Sequence, residues 1–99
     1  MSGKLIRRVI ISGRVQGVGF RAWTEQVAGQ RGLEGWVRNL RDGSVEALFA
    51  GPEPDVVAMI AACRRGPPGS RIDAIDEHEG TAEELALRRG RRFAVLETS

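Results

Sequence analysis

Gly13-Arg14-Val15-Gln16-Gly17-Val18-Gly19-Phe20-Arg21 lies between two segments of different periodicity. Upstream, Leu5 to Ser12 is short, rich in Ile and Val, and stops at Gly13, the pattern of a β-strand. Downstream, Phe20, Trp23, Val27 and Ala28 recur at helical spacing, and Gly32 supplies the stop. The stretch between is a strand-to-helix loop carrying Gly13, Gly17 and Gly19. Those glycines open backbone conformations closed to other residues. One reading is simply a tight turn. The other is a nest of N–H groups aimed at an anion, set against the dipole of the following helix. Arg21 falls in the first helical turn beside that point, and a guanidinium offers a planar fork to a tetrahedral dianion.

Working outward, Gly35 to Asn39 reads as a second strand. Asp42-Gly43 is a hairpin signal, and Val45, Ala47 and Phe49 alternate as a third strand. Gly51-Pro52 opens a second helix with the apolar stripe Val56, Met59, Ile60 and Cys63, and Gly66-Pro67-Pro68-Gly69 stops it. Ile72 to Ile75 begins a fourth strand, Thr81 to Arg92 reads as loop or short helix, and Phe93 to Leu96 makes a last strand. The order βαββαβ with an extra C-terminal strand predicts an α+β, ferredoxin-like sandwich. Two right-handed crossovers interleave into an antiparallel sheet with two helices on one face. The first two strands then run parallel, so the glycine loop and Asn39 meet at one edge of the sheet.

The remaining composition narrows the class. Ninety-nine residues, 41% of them apolar, predict a single domain spanning 1–99. Such a chain buries about 60–70% of its unfolded surface, enough for one modest core. Apolar runs are too short for a transmembrane helix, and Met1-Ser2-Gly3-Lys4 leading into Arg7 and Arg8 does not resemble a secretory signal. The lone Cys63 excludes an internal disulfide and a cysteine-built zinc site. A cytoplasmic protein with no membrane partner is expected. Net charge is +2, unevenly spread. Residues 1–41 carry Lys4 and seven Arg against Glu25 and Glu34, residues 42–87 carry three Arg against ten acids, and the tail is basic again. A basic first half suits a small anionic ligand, or reflects general arginine usage. A net +2 is too weak to argue for nucleic acid.

The catalytic inventory is thin. The single His78 lies in the acidic run Asp76-Glu77-His78-Glu79, and Asp73 and Asp76 are read as exposed strand positions. Cys63 is read as a core residue. No metal-ligand spacing is visible, so neither a metal nor a cofactor is expected. An enzyme without a strong base or acid needs a good leaving group, and an acyl phosphate releases a carboxylate that takes no proton. Positioning and charge neutralisation then suffice. Asn39 is either a turn residue closing the second strand or a neutral amide able to hold a water.

With these residues in place, the chain resembles the acylphosphatases from about Arg8 to Arg71, with an echo at Phe93. The carriers are Gly13 to Arg21, Gly35-Trp36-Val37-Arg38-Asn39, Asp42-Gly43-Ser44-Val45-Glu46, and Gly66-Pro67-Pro68 before Arg71. The resemblance implies hydrolysis of small acyl phosphates to carboxylate and inorganic phosphate, without metal or cofactor. It implies Arg21 and Asn39 as catalytic residues. It also implies that Val15, Gln16, Gly17, Val18, Gly19 and Phe20 offer backbone N–H groups to phosphate. Two features depart from the family pattern. Leu40 stands where many members carry a hydroxyl, and Thr81–Arg92 is longer and more basic than usual. A monomer is expected. One alternative is a ferredoxin-like module that binds nucleic acid or a small anion without catalysis. Readers of that kind stack bases on aromatics of the open sheet face; the strands here offer chiefly Trp36, Phe49 and Phe93, with no aromatic-basic signature. A similar domain also opens the much longer carbamoyl-transferring proteins of hydrogenase maturation, and the chain length favours the free-standing enzyme.

Overall fold

The computed structural model describes residues 4–90 and 92–99. Eight elements follow in order: β1 (Lys4–Arg14), α1 (Phe20–Gln30), β2 (Glu34–Asn39), β3 (Val45–Pro52), α2 (Glu53–Arg65), β4 (Arg71–Glu79), α3 (Ala82–Leu85) and β5 (Phe93–Val95). The sheet order is β4-β1-β3-β2-β5. β3 is antiparallel to both β1 and β2, and β4 is antiparallel to β1. β1 and β2 are therefore parallel and flank β3. The four-strand body is antiparallel as expected, but β5 joins β2 in parallel and makes the whole sheet mixed. Nothing in three residues of sequence fixes that direction. β5 pairs Gly35, Trp36 and Val37 in ascending order.

Alternation puts Val9, Ile11, Val37, Val45, Ala47 and Phe49 on one face of the sheet. Against it lie Phe20 and Ala28 of α1 and Val56, Met59, Ile60 and Cys63 of α2. Both helices thus share one face. Phe49 and Phe93 stack with centroids 5.7 Å apart and bring β5 into the same core. Burial pushes the Cys63 thiol up to about 12, consistent with a core residue rather than a nucleophile.

The opposite face is closed as well. Trp36 and Leu48 are fully buried there although they lie outside the helix-side core. Glu46 sits between two cations, with Arg38 Nε at 2.7 Å and Arg8 Nη1 at 3.1 Å, and the Arg38 guanidinium lies 4.7 Å over the Trp36 ring. The cover is the stretch whose reading was open between loop and helix. Thr81 caps α3 with a reciprocal pair: its hydroxyl accepts from Glu84 N and its own N–H donates to the Glu84 carboxylate. Trp36 Nε1 donates to Glu84 O at 2.8 Å. Arg88, buried, donates to Leu85 O, to Arg92 O and to the Glu34 carboxylate, bolting the segment to β2.

β4 runs four residues further than Ile75, to Glu79, and all its residues from Asp76 onward are exposed. Asp73, Asp76 and His78 lie on this edge strand, where charge discourages pairing with a second sheet.

Strand approach is tightest at Gly35. Its φ is +141°, and a Cβ there would stand 1.8 Å from Leu48 O on β3. Gly35→Ala is expected to lose on the order of 4 kcal/mol or more of stability. Gly29, in α1 with open space around it, is the control: Gly29→Ala should gain about 0.4–1 kcal/mol. Urea midpoints measure both. A Gly35→Ala protein as stable as the parent would show that the β2–β3 approach is not constrained as described.

Candidate active site

The loop between β1 and α1 is shaped by which of its residues go inside. Val15 and Phe20 are 1% exposed and anchor its two ends, and Val18 packs against the core between them. That inward pattern leaves Gly17 and Gly19 on the outside at φ +76° and +77°, conformations that need no side chain. Gly19 is also the N-cap of α1, with no side-chain cap and no acid in the first turn. The first N–H groups of the helix therefore keep their capacity for an external acceptor. Trp23 N closes the first turn on Gly19 O at 3.0 Å, and Thr24 Oγ1 donates to Phe20 O at 2.8 Å.

A cleft of about 300 Å³ opens over this loop. Val15, Gln16, Gly17 and Gly19 line it from the loop, Phe20 and Arg21 from α1, and Asn39 from the end of β2. The parallel run of β1 and β2 brings these pieces to one edge. Arg21 makes no ion pair among the described residues, so its guanidinium is uncommitted. Asn39 Oδ1 is buried and has no hydrogen-bond partner among the described residues. An orphaned buried acceptor costs about 1–3 kcal/mol, which makes it a marked feature of the cleft. The turn after Asn39 is held locally. Leu40 N donates to Ser44 O at 2.9 Å, Gly43 N donates to Leu40 O at 3.2 Å, and both N and Oγ of Ser44 donate to Asp42 Oδ1. The Ser44 hydroxyl, then its backbone N–H, hold the Asp42 carboxyl below its usual 3.8.

With loop, arginine and amide on one cleft, the comparisons decide the family. The acylphosphatase family model matches residues 7–94. The chain belongs to the acylphosphatase family. An acylphosphatase from Bradyrhizobium diazoefficiens is 58% identical over 96% of this chain and 97% of its own length. The crystal structure of acylphosphatase from Bacillus subtilis superposes with a TM-score of 0.81 at 39% identity, over 93% of this chain and 98% of that one. A full-length HypF, solved in a phosphate- and nucleotide-bound form, contains a region that superposes with a TM-score of 0.82 at 29% identity. That region covers 99% of this chain but only 12% of HypF, whereas the acylphosphatases match nearly end to end.

Of the residues singled out in the sequence, the structure brings Val15, Gln16, Gly17, Gly19, Phe20, Arg21 and Asn39 onto the cleft. Val18 is not on its lining, because its side chain is turned to the core. His78 and Cys63 lie elsewhere. Sequence reasoning missed Ala22, Glu25 and Val95, which complete the lining. Glu25 follows Arg21 by one helical turn, so the i, i+4 rule could have found it. Val95 reaches the cleft only through the parallel pairing of β5.

The lowered Asp42 carboxyl couples this turn to pH. A carboxyl depressed in the folded state stabilises fully above its ordinary value, and that contribution disappears as pH falls through the folded-state value. Glu34 follows the same sign, held below its usual 4.5 chiefly by the Lys4 ammonium, with Arg88 adding to it. Urea midpoints of the parent should fall between pH 6 and pH 2. Asp42→Asn should start lower at pH 6 and fall less on acidification. Identical pH slopes for the two proteins would remove Asp42 from this role.

Proposed function

We propose that the cleft hydrolyses acyl phosphates, with the glycine loop and the α1 N-terminus cradling the phosphoryl group, Arg21 pairing with its oxygens, and Asn39 holding the attacking water. The observation that carries the proposal is the buried, unpartnered Oδ1 of Asn39 on the same cleft as an uncommitted guanidinium. Water donates one hydrogen bond to that oxygen, which turns a lone pair toward phosphorus. The water oxygen forms a new P–O bond as the bond from phosphorus to the acyl oxygen breaks. The carboxylate departs with the bonding pair, and both water protons leave with inorganic phosphate. Asn39 accepts a hydrogen bond and no proton, so no side-chain base is required. Backbone N–H groups and Arg21 neutralise charge on the three equatorial oxygens.

The specific acyl group stays broad in this reading, because Ala22 and Val95 offer a shallow apolar wall rather than an enclosed pocket. A cleft completed within one chain supports a monomer, and the buried thiol of Cys63 is compatible with a cytoplasmic protein. No helix of the described residues is long and apolar enough to cross a membrane. The RNA-reading alternative loses its platform: the sheet face it needs is covered by residues 80–88, and Trp36 is 1% exposed.

Two experiments test the proposal. With a chelator present, benzoyl phosphate should be hydrolysed and an alkyl phosphate ester left intact; equal rates on both, or loss of activity to the chelator, would sink the mechanism. Arg21→Lys keeps the charge but not the fork, and should weaken phosphate binding as well as turnover. Asn39→Ala should bind phosphate normally and turn over more slowly. Each should lose on the order of 10²–10³ in rate, comparable to deleting one oxyanion donor. Full activity in either variant would clear that residue of its role.

A further inference from the structure

The water at Asn39 and the phosphoryl group in the loop must lie in line, and a misplacement of about 1 Å can cost on the order of 10²-fold in rate. Yet the two holders of this geometry sit on strands that never touch. The loop follows β1, Asn39 ends β2, and β3 lies between them. The backbone ladders reach across only through β3, at Val45, and they stop where the loop and the turn after Asn39 begin.

One side chain does span it. Gln16 Nε2 donates to Leu40 O at 2.8 Å and to Ser44 O at 2.9 Å. Both partners are carbonyls, so only the NH₂ end of the amide can face them, and both of its hydrogens are used. The bond at Leu40 grips the residue next to Asn39. The bond at Ser44 grips the other arm of the same turn, whose carbonyl already accepts from Leu40 N. Gln16 is also flanked by buried Val15, so its own backbone has little freedom to follow a drifting turn.

We infer that Gln16 is a positioning residue. Its amide fixes the distance between the phosphate cradle and the Asn39 oxygen, and so acts on catalysis through Asn39. The inference rests on the reading of Asn39 given above. A merely structural Gln16 would lower stability and leave kinetics at permissive temperature alone.

The experiment is a double-mutant cycle of Gln16→Met, an uncharged side chain of similar length that cannot donate, with Asn39→Ala, assayed on benzoyl phosphate. Gln16→Met alone should lower kcat on the order of 10-fold, while the inhibition constant for inorganic phosphate changes by no more than about 3-fold. In the Asn39→Ala background the same substitution should cost nothing further, since the group it positions is gone. Should Gln16→Met fail to fold, Gln16→Asn, whose amide is one methylene too short to reach both carbonyls, takes its place with the same expected pattern. Losses that multiply in the double variant, or a weakened phosphate affinity with kcat intact, overturn the inference and leave the Asn39 reading standing. An Asn39→Ala protein with full kcat overturns that reading, and the inference falls with it.

Discussion

The site rests on three apolar side chains packed into the core beneath it. Val15, Val18 and Phe20 turn inward, and their burial holds the chain of the loop in a single path. Full burial of such a side chain is worth about 1.5–3 kcal/mol. That is the scale needed to hold two glycines at positive φ and to leave helix N–H groups uncapped, both of which disfavour folding in isolation. The interior therefore stabilises a backbone shape that leaves helix N–H groups open to an external acceptor. Since the donors are fixed before any ligand arrives, they need no reorganisation when charge develops.

The same logic governs the sheet. β3 is buried along nearly its whole length because helices cover one face and the stretch from Gly80 to Arg88 covers the other. A central strand enclosed this way is a rigid ruler between β1 and β2. Glu46 on β3 can be buried only because Arg8 and Arg38 meet it from the two neighbouring strands, which ties all three in register. Charge here serves alignment more than stability, since partly exposed pairs contribute little net energy. A closed second face also separates this protein from sheet-face nucleic-acid readers of the same topology: the surface that would stack bases is spent on its own chain.

How much of this could be read from residues alone depended on where the signal is local. β1, α1, β3 and α2 carry clean periodicities and end at glycine or proline, so their existence and order were legible, and with them the meeting of the loop and Asn39. For β4 only the beginning was legible, because an edge strand exposed along most of its length shows no alternation to read. The cover over the second face had a readable signature in Thr81 and Glu84, three apart, but its destination on Trp36 did not, since that bond joins residues 48 positions apart. The direction of β5, and with it the place of Val95 on the cleft, was equally beyond a local reading. Gln16 falls between the two cases. Its position in the loop was evident, whereas its side chain acts 24 and 28 residues away.

That long reach also accounts for the departure at Leu40. Where many family members carry a hydroxyl, this chain has an apolar side chain, and the turn holds its shape through position 40's main chain instead. Leu40 N donates to Ser44 O, and Leu40 O accepts from both Gly43 N and Gln16 Nε2. Any residue supplies those two groups. The polar side-chain work falls to Ser44 and Asp42, which hydrogen-bond each other two residues apart inside the same turn. The Asn39 oxygen is thus left free of its neighbours because they satisfy one another. A turn that met its needs by borrowing that amide would have no acceptor left for a water.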